Sequence, residues 1–143
     1  TDLSDLEPVD YKVSSIVALK RNYQKDRTIT GLPIKINNQE YDKGLGFASG
    51  MQLDFLNEGL YDLFVAEIGI DDDALGYGDC EFVVMDREEV LFRARVKGGE
   101  AAKLIKVDIT GRSRVSLRVD PGKDLDIADH ADWADACFLQ RLK

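Results

Sequence analysis

"VLFRARVKGGEAAKLIKVDITGRSRVSLRVD", Val90 to Asp120, contains three alternating runs separated by turn chemistry. In the first, Val90, Phe92, Ala94 and Val96 fall on one face, with Leu91, Arg93 and Arg95 on the other. In the second, Ile105, Val107 and Ile109 oppose Lys106 and Asp108, and in the third Val115, Leu117 and Val119 share a face. A period of two with one apolar face is the mark of a half-buried strand. Between the runs stand Lys97-Gly98-Gly99-Glu100 and Thr110-Gly111, residues that turn a chain.

The same pattern extends toward the N-terminus. Met51, Leu53 and Phe55 alternate with Gln52 and Asp54. Phe64, Ala66, Ile68 and Ile70 align, as do Cys80, Phe82 and Val84, and Asn37-Asn38, Asp86 to Glu89 and Pro121-Gly122 add further turns. No segment shows a capped 3.6-residue period. The reading is about eight short antiparallel strands, hence an all-β sandwich or barrel in one domain spanning residues 1–143. Residues 11–22, "YKVSSIVALKRN", read as a strand or a short helix.

A net charge of -8 repels phosphate backbones and anionic lipid, so nucleic acid and membrane partners are disfavoured. No apolar run nears the roughly 20 residues of a membrane span. The chain does not begin with Met, and we expect it to be a piece of a longer protein. Cys80 and Cys137 lie in expected strands, where a buried thiol acts as a small hydrophobe; one bridge between strands is the alternative for a secreted domain.

Two longer loops are expected, Gly69–Asp79 and Asp120–Asp135, both acidic. Loops of this length in a compact domain tend to carry function. Calcium is a possible structural ion, with oxygen ligands from Asp71, Asp72 and Asp73, or from Asp120, Asp124, Asp126 and Asp129. EF-hand spacing is absent, and one His without paired Cys argues against a transition metal. No G-x-S-x-G elbow is present, and "KGLGFASG" lacks the Lys-Ser/Thr of a phosphate loop. With 27 acids in the chain, chance carboxylate neighbours are common, so an enzyme is not expected.

The second loop contains the only histidine and the only tryptophan, His130 and Trp133, beside Asp132. An aromatic face with polar side chains around it suits a sugar, whose C–H patch stacks while its hydroxyls bond. The alternative is that Trp133 opens the last strand facing the core and His130 ties the loop to backbone.

The ordered pieces "YDKGLGF", "YDLFVAEIGIDD", "FVVMDREEVLF", "VDITG", "VSLRVD" and "DHADWADA" resemble the NPCBM family, the novel putative carbohydrate-binding modules. The similarity runs from about Leu3 to Phe138. It implies a jelly-roll-like β-sandwich without catalytic activity, tethered to other domains such as a glycoside hydrolase, and extracellular or periplasmic. It further implies recognition of a terminal galactose-like glycan. The residues expected to contact it are His130 and Asp132 as hydroxyl partners, Asp72 as a second-loop contact or brace, and Trp133 as stacking face or core support. One block departs: the family reads G-L-G-x-H-A, whereas "GLGFAS" puts Ala48 at the histidine's place. Loss of that group favours a second expectation, a structural or protein-interaction sandwich without sugar binding.

Overall fold

A computed structural model describes residues 1–14, 22–122 and 129–141. Among these residues twelve strands form: β1 (Asp10–Val13), β2 (Gln24–Lys25), β3 (Ile34–Ile36), β4 (Gln39–Tyr41), β5 (Gly44–Ala48) and β6 (Met51–Leu56), then β7 (Leu63–Ile70), β8 (Asp79–Asp86), β9 (Glu89–Lys97), β10 (Lys103–Asp108), β11 (Arg114–Pro121) and β12 (His130–Leu139). One sheet has the order β1-β6-β11-β8-β9, the other β10-β7-β12-β5-β2, and β3-β4 is a separate hairpin. Every pairing is antiparallel. Of the ambiguous stretch at 11–22, residues 11–13 are strand, and 15–21 lie outside the described residues.

The alternating faces meet as expected. Leu53, Phe55, Phe82, Leu117 and Val119 from the first sheet join one core with Leu45, Phe47, Phe64, Ile68 and Phe138 from the second. Trp133 is at its centre, with ring centroids 4.9 Å from Phe82, 6.0 Å from Phe47 and 6.0 Å from Phe64. These edge and tilted arrangements suit aromatic quadrupoles. Cys80 and Cys137 are free.

Two bulges alter the simple alternation. Between β8 and β9 the register moves from Val84↔Phe92 to Met85↔Val90, so Leu91 is extra and Val90 turns outward, 42% exposed. The expected common face of Val90 with Phe92, Ala94 and Val96 is therefore broken at Val90. In β12 the register shifts between Ala134 and Cys137, and Asp135 takes a φ of 50° there.

The expected loop Asp120–Asp135 is shorter than its composition suggests. β11 runs to Pro121 and β12 begins at His130. Asp132, which reads as loop chemistry, points away from the core while Ala131 and Trp133 point into it. It stands opposite Gly46 on β5 and Gly69 on β7. Bare glycines on both sides let another layer of chain lie against the sheet. A Cβ at Gly46 would come within 2.3 Å of the Arg27 carbonyl oxygen, and one at Gly69 within 2.6 Å of Ile36 Cγ2. Residues 27–41 form that layer, ending in the β3-β4 hairpin. Its turn, Asn37-Asn38, has φ of 48° and 70°, and Asn tolerates this left-handed geometry better than most residues.

Candidate functional site

Three consecutive aspartates hold that layer down at three points. Asp71 accepts from the Lys35 backbone N–H at 2.9 Å and from the Asp73 N–H at 3.0 Å, capping the short 3-10 turn Asp72–Ala74. Asp72 accepts from the N–H groups of Asn37 and Asn38, both at 2.8 Å. Asp73 accepts from the Thr30 hydroxyl at 2.6 Å and lies 2.7 Å from His130 Nδ1. Each bond to a carboxylate is charge-assisted and stronger than a neutral one. The loop "IDDD" is therefore a clasp between the β7–β8 connection and the hairpin.

Burial would raise the Asp73 pKa, but hydrogen bonds from His130, Thr30 and Thr28 outweigh it and hold the carboxyl at about 2. Asp132 has the opposite fate. It is 0% exposed, and neither oxygen has a hydrogen-bond partner within ordinary reach among the described residues. Desolvation, then the nearby Asp71, Asp73 and Asp72, push its pKa well above the usual carboxylate range. The side chain is therefore best accommodated as the neutral acid.

The clasp and the hairpin bound an open cleft of about 320 Å³. Leu32 and Pro33 give it an apolar side, Asp71, Asp72 and Asp73 form a wall, and Lys35 and Glu40 complete the lining. Leu32 is half exposed, at 52%. Beyond the clasp, the tip of the β7–β8 loop displays Leu75 and Tyr77, 83% and 70% exposed. Backbone bonds from Leu75 N to Asp72 O and from Tyr77 N to Ala74 O keep that tip folded.

These positions decide between the two readings of Trp133 and correct the role expected of Asp132. Of stacking face and core support, Trp133 takes the second: it is 0% exposed and enclosed by three phenylalanines. Asp132 cannot reach a ligand hydroxyl in this conformation, because residues 27–41 cover it. The structure puts His130 behind Asp73 rather than in the cleft wall, with its side chain 17% exposed. Asp72 does line the cleft, with both oxygens already bonded to the hairpin. Ala48 pairs directly with His130 across β5 and β12 and is nearly buried.

Among the described residues, no group of three or more His, Cys, Asp or Glu side chains is placed to hold a metal ion. Asp120 is paired with Arg118 at 3.0 Å, and Asp129 accepts from the Ser49 hydroxyl at 2.5 Å and the Asp79 N–H at 2.9 Å. Asp124 and Asp126 lie outside the described residues.

The sequence reading passed over Leu32, Pro33, Lys35, Glu40, Leu75 and Tyr77. A signal for two of them was present: Asn37-Asn38 reads as a turn, and the flanking "IKI" and "QEY" alternate, which sets Lys35 opposite Glu40. For Tyr77, an aromatic between two glycines in a long loop is a weak pointer to display.

An all-β sandwich with an open, partly apolar cleft between an outlying hairpin and a loop has the form of a carbohydrate-binding module, a non-catalytic class. The chain belongs to the NPCBM/NEW2 domain family, whose model matches residues 1–139. It is similar to the CBM51 module of Clostridium perfringens GH95, solved in complex with methyl-galactose. The identity is 29%, the TM-score 0.84, and the match covers 96% of this chain and 98% of that one. It is also similar to CBM51-2 of Clostridium perfringens ZmpB, solved with GlcNAc and the INT domains. Here the identity is 28% and the TM-score 0.87, over 98% of this chain and 31% of that one. A Renibacterium salmoninarum protein, named as a candidate endo-alpha-N-acetylgalactosaminidase, is 34% identical over 110 residues. That match takes in 76% of this chain and 7% of the relative's length.

Proposed function

We propose that the domain recognises a terminal galactose-like sugar in the cleft between the β3-β4 hairpin and the Asp71–Asp73 clasp. In this reading it holds a larger protein, a glycan-acting enzyme or an adhesive protein, against its target outside the cell or in the periplasm. The observation that carries the proposal is the cleft itself, with Leu32 and Pro33 beside convergent polar groups. The methyl-galactose complex of the Clostridium perfringens relative supports the choice of sugar. Such a site contributes through linkage: a weak contact raises the local concentration of glycan for whatever is joined to it.

Asp72 and His130 serve the site by keeping the wall in place, Asp72 through the hairpin turn and His130 through Asp73. Ala48 in the family's histidine position favours a second reading, a protein-interaction sandwich without a sugar site.

A glycan array probed with the folded domain, with calcium and again with chelator, tests both. Binding confined to terminal galactosides supports the module. If it persists in chelator, calcium is structural at most; if it is lost, the acidic loops hold a required ion. Silence from a folded sample in both conditions rejects the sugar reading and leaves the interaction domain.

A further inference from the structure

The cleft contains two charged side chains that the fold does not use. Asp71, Asp72 and Asp73 are each committed through both oxygens, to backbone N–H groups, to Thr30 or to His130. Lys35 and Glu40 differ. They are direct cross-strand partners on the β3-β4 hairpin and share the face opposite Ile34 and Ile36. The two isoleucines are buried, and the Lys35 and Glu40 side chains line the cleft. Neither side chain forms a hydrogen bond or ion pair with any described residue, not even with the other.

Opposite charges facing each other across a hairpin ordinarily pair, since the contact is favourable and the geometry is supplied by the register. Left apart on one wall of a cleft, they offer a three-proton donor and a two-oxygen acceptor side by side. Two adjacent hydroxyls on a pyranose present the matching pattern. One hydroxyl donates to the carboxylate, and its neighbour accepts from the ammonium. The hairpin is already fixed at Lys35 by Asp71 and at Asn37 and Asn38 by Asp72, so little backbone freedom is lost when a ligand binds.

We infer that Lys35 and Glu40 together read a vicinal diol of a neutral sugar, whose C–H face rests on Leu32 and Pro33. The inference rests on the proposed sugar-binding function and adds its specificity. A ligand lacking either hydroxyl leaves one charge unanswered. A sulfated or sialylated sugar brings a negative charge toward Glu40 and the three aspartates and is rejected.

The test is calorimetric titration of the domain with methyl galactoside, then with its sulfated and singly deoxygenated forms. Lys35→Met, Glu40→Gln and the exchange variant Lys35→Glu/Glu40→Lys are compared by thermal melting and by titration. With wild-type binding in hand, the expected result is a loss of about tenfold or more for each single variant with an unchanged melting temperature, since bonds to charged groups are worth that much. Partial recovery in the exchange variant is expected, because a diol can donate and accept in either order. If wild type binds and both single variants bind within about twofold of it, the Lys35–Glu40 assignment fails while the sugar-binding function stands. If sulfated galactoside binds as well as the neutral one, the stated selectivity is wrong. If folded wild type binds no sugar, the function and the assignment fall together.

Discussion

His130 Nδ1 lies 2.7 Å from Asp73 Oδ1, joining the first residue of the last strand to the clasp that holds the β3-β4 hairpin. Its partner oxygen on Asp73 accepts from Thr30. One side chain thus ties together the β7–β8 loop, the covering layer and β12. The unfolded chain has no counterpart to this arrangement, so the carboxyl titrates differently in the two states.

That difference predicts acid sensitivity. The Asp73 pKa is about 2 when folded, against 3.8 as its ordinary value. A depressed acid stabilises fully above the unfolded pKa and loses its contribution as pH falls through the folded one. After discounting for water at the cleft mouth, about 1–2 kcal/mol is at stake between about pH 5 and pH 2. Asp73→Asn should lower stability by about that amount near neutrality and flatten the acid limb of a pH series of urea melts. An unchanged acid limb would show that Asp73 is not stabilised in this way.

Asp132 predicts the opposite slope. Its folded pKa is raised, so the folded chain retains a proton that the unfolded chain has released. Stability is then greatest below the unfolded value and declines as pH rises through the folded one. Asp132→Asn keeps the shape without the charge. It should match wild type near pH 4 and exceed it at about pH 8, as read from denaturant midpoints.

The glycine row predicts a steric effect. Gly46→Ala would drive a methyl into the Arg27 carbonyl and the Thr28 backbone, which cannot move without lifting the covering layer. A loss of about 2–3 kcal/mol is expected, with greater protease sensitivity within residues 27–41. Gly69→Ala meets a side chain, Ile36, and should cost less. Equal effects in thermal melts would count against the layered packing.

Trp133→Phe separates core from ligand roles. The indole N–H has no hydrogen-bond partner among the described residues, so removing it leaves no bond broken. The expected cost is a cavity of modest size, about 1–2 kcal/mol, against about 3–5 for Trp133→Ala. Affinity for any sugar should follow stability alone. A Phe variant that is stable but has lost binding would return Trp133 to the site.

Much of the architecture was legible because it depends on local alternation. Met51, Leu53 and Phe55, or Val115, Leu117 and Val119, meet the core wherever their strands pair, since a period of two leaves one face to bury. The site was harder to read. Acids, a histidine and a tryptophan close together look like binding chemistry, yet Trp133 went to the core and Asp132 under a second layer. Short strands such as "IKI" and "QEY" carry too few residues for periodicity to stand out, so Lys35 and Glu40 were missed.

By itself, the sequence determined that this is an all-β chain with its apolar faces turned inward, an acidic surface and a long connection at Gly69–Asp79. Those features follow from neighbours along the chain. Only the tertiary structure decided which carboxylates are spent on the fold and which charges remain free. A hydrogen bond from Asn37 or Lys35 to an aspartate more than thirty residues away depends on how the layers stack, and so does the burial of Asp132 between two glycines. No local pattern encodes those distances, because they arise when separate strands settle against one another.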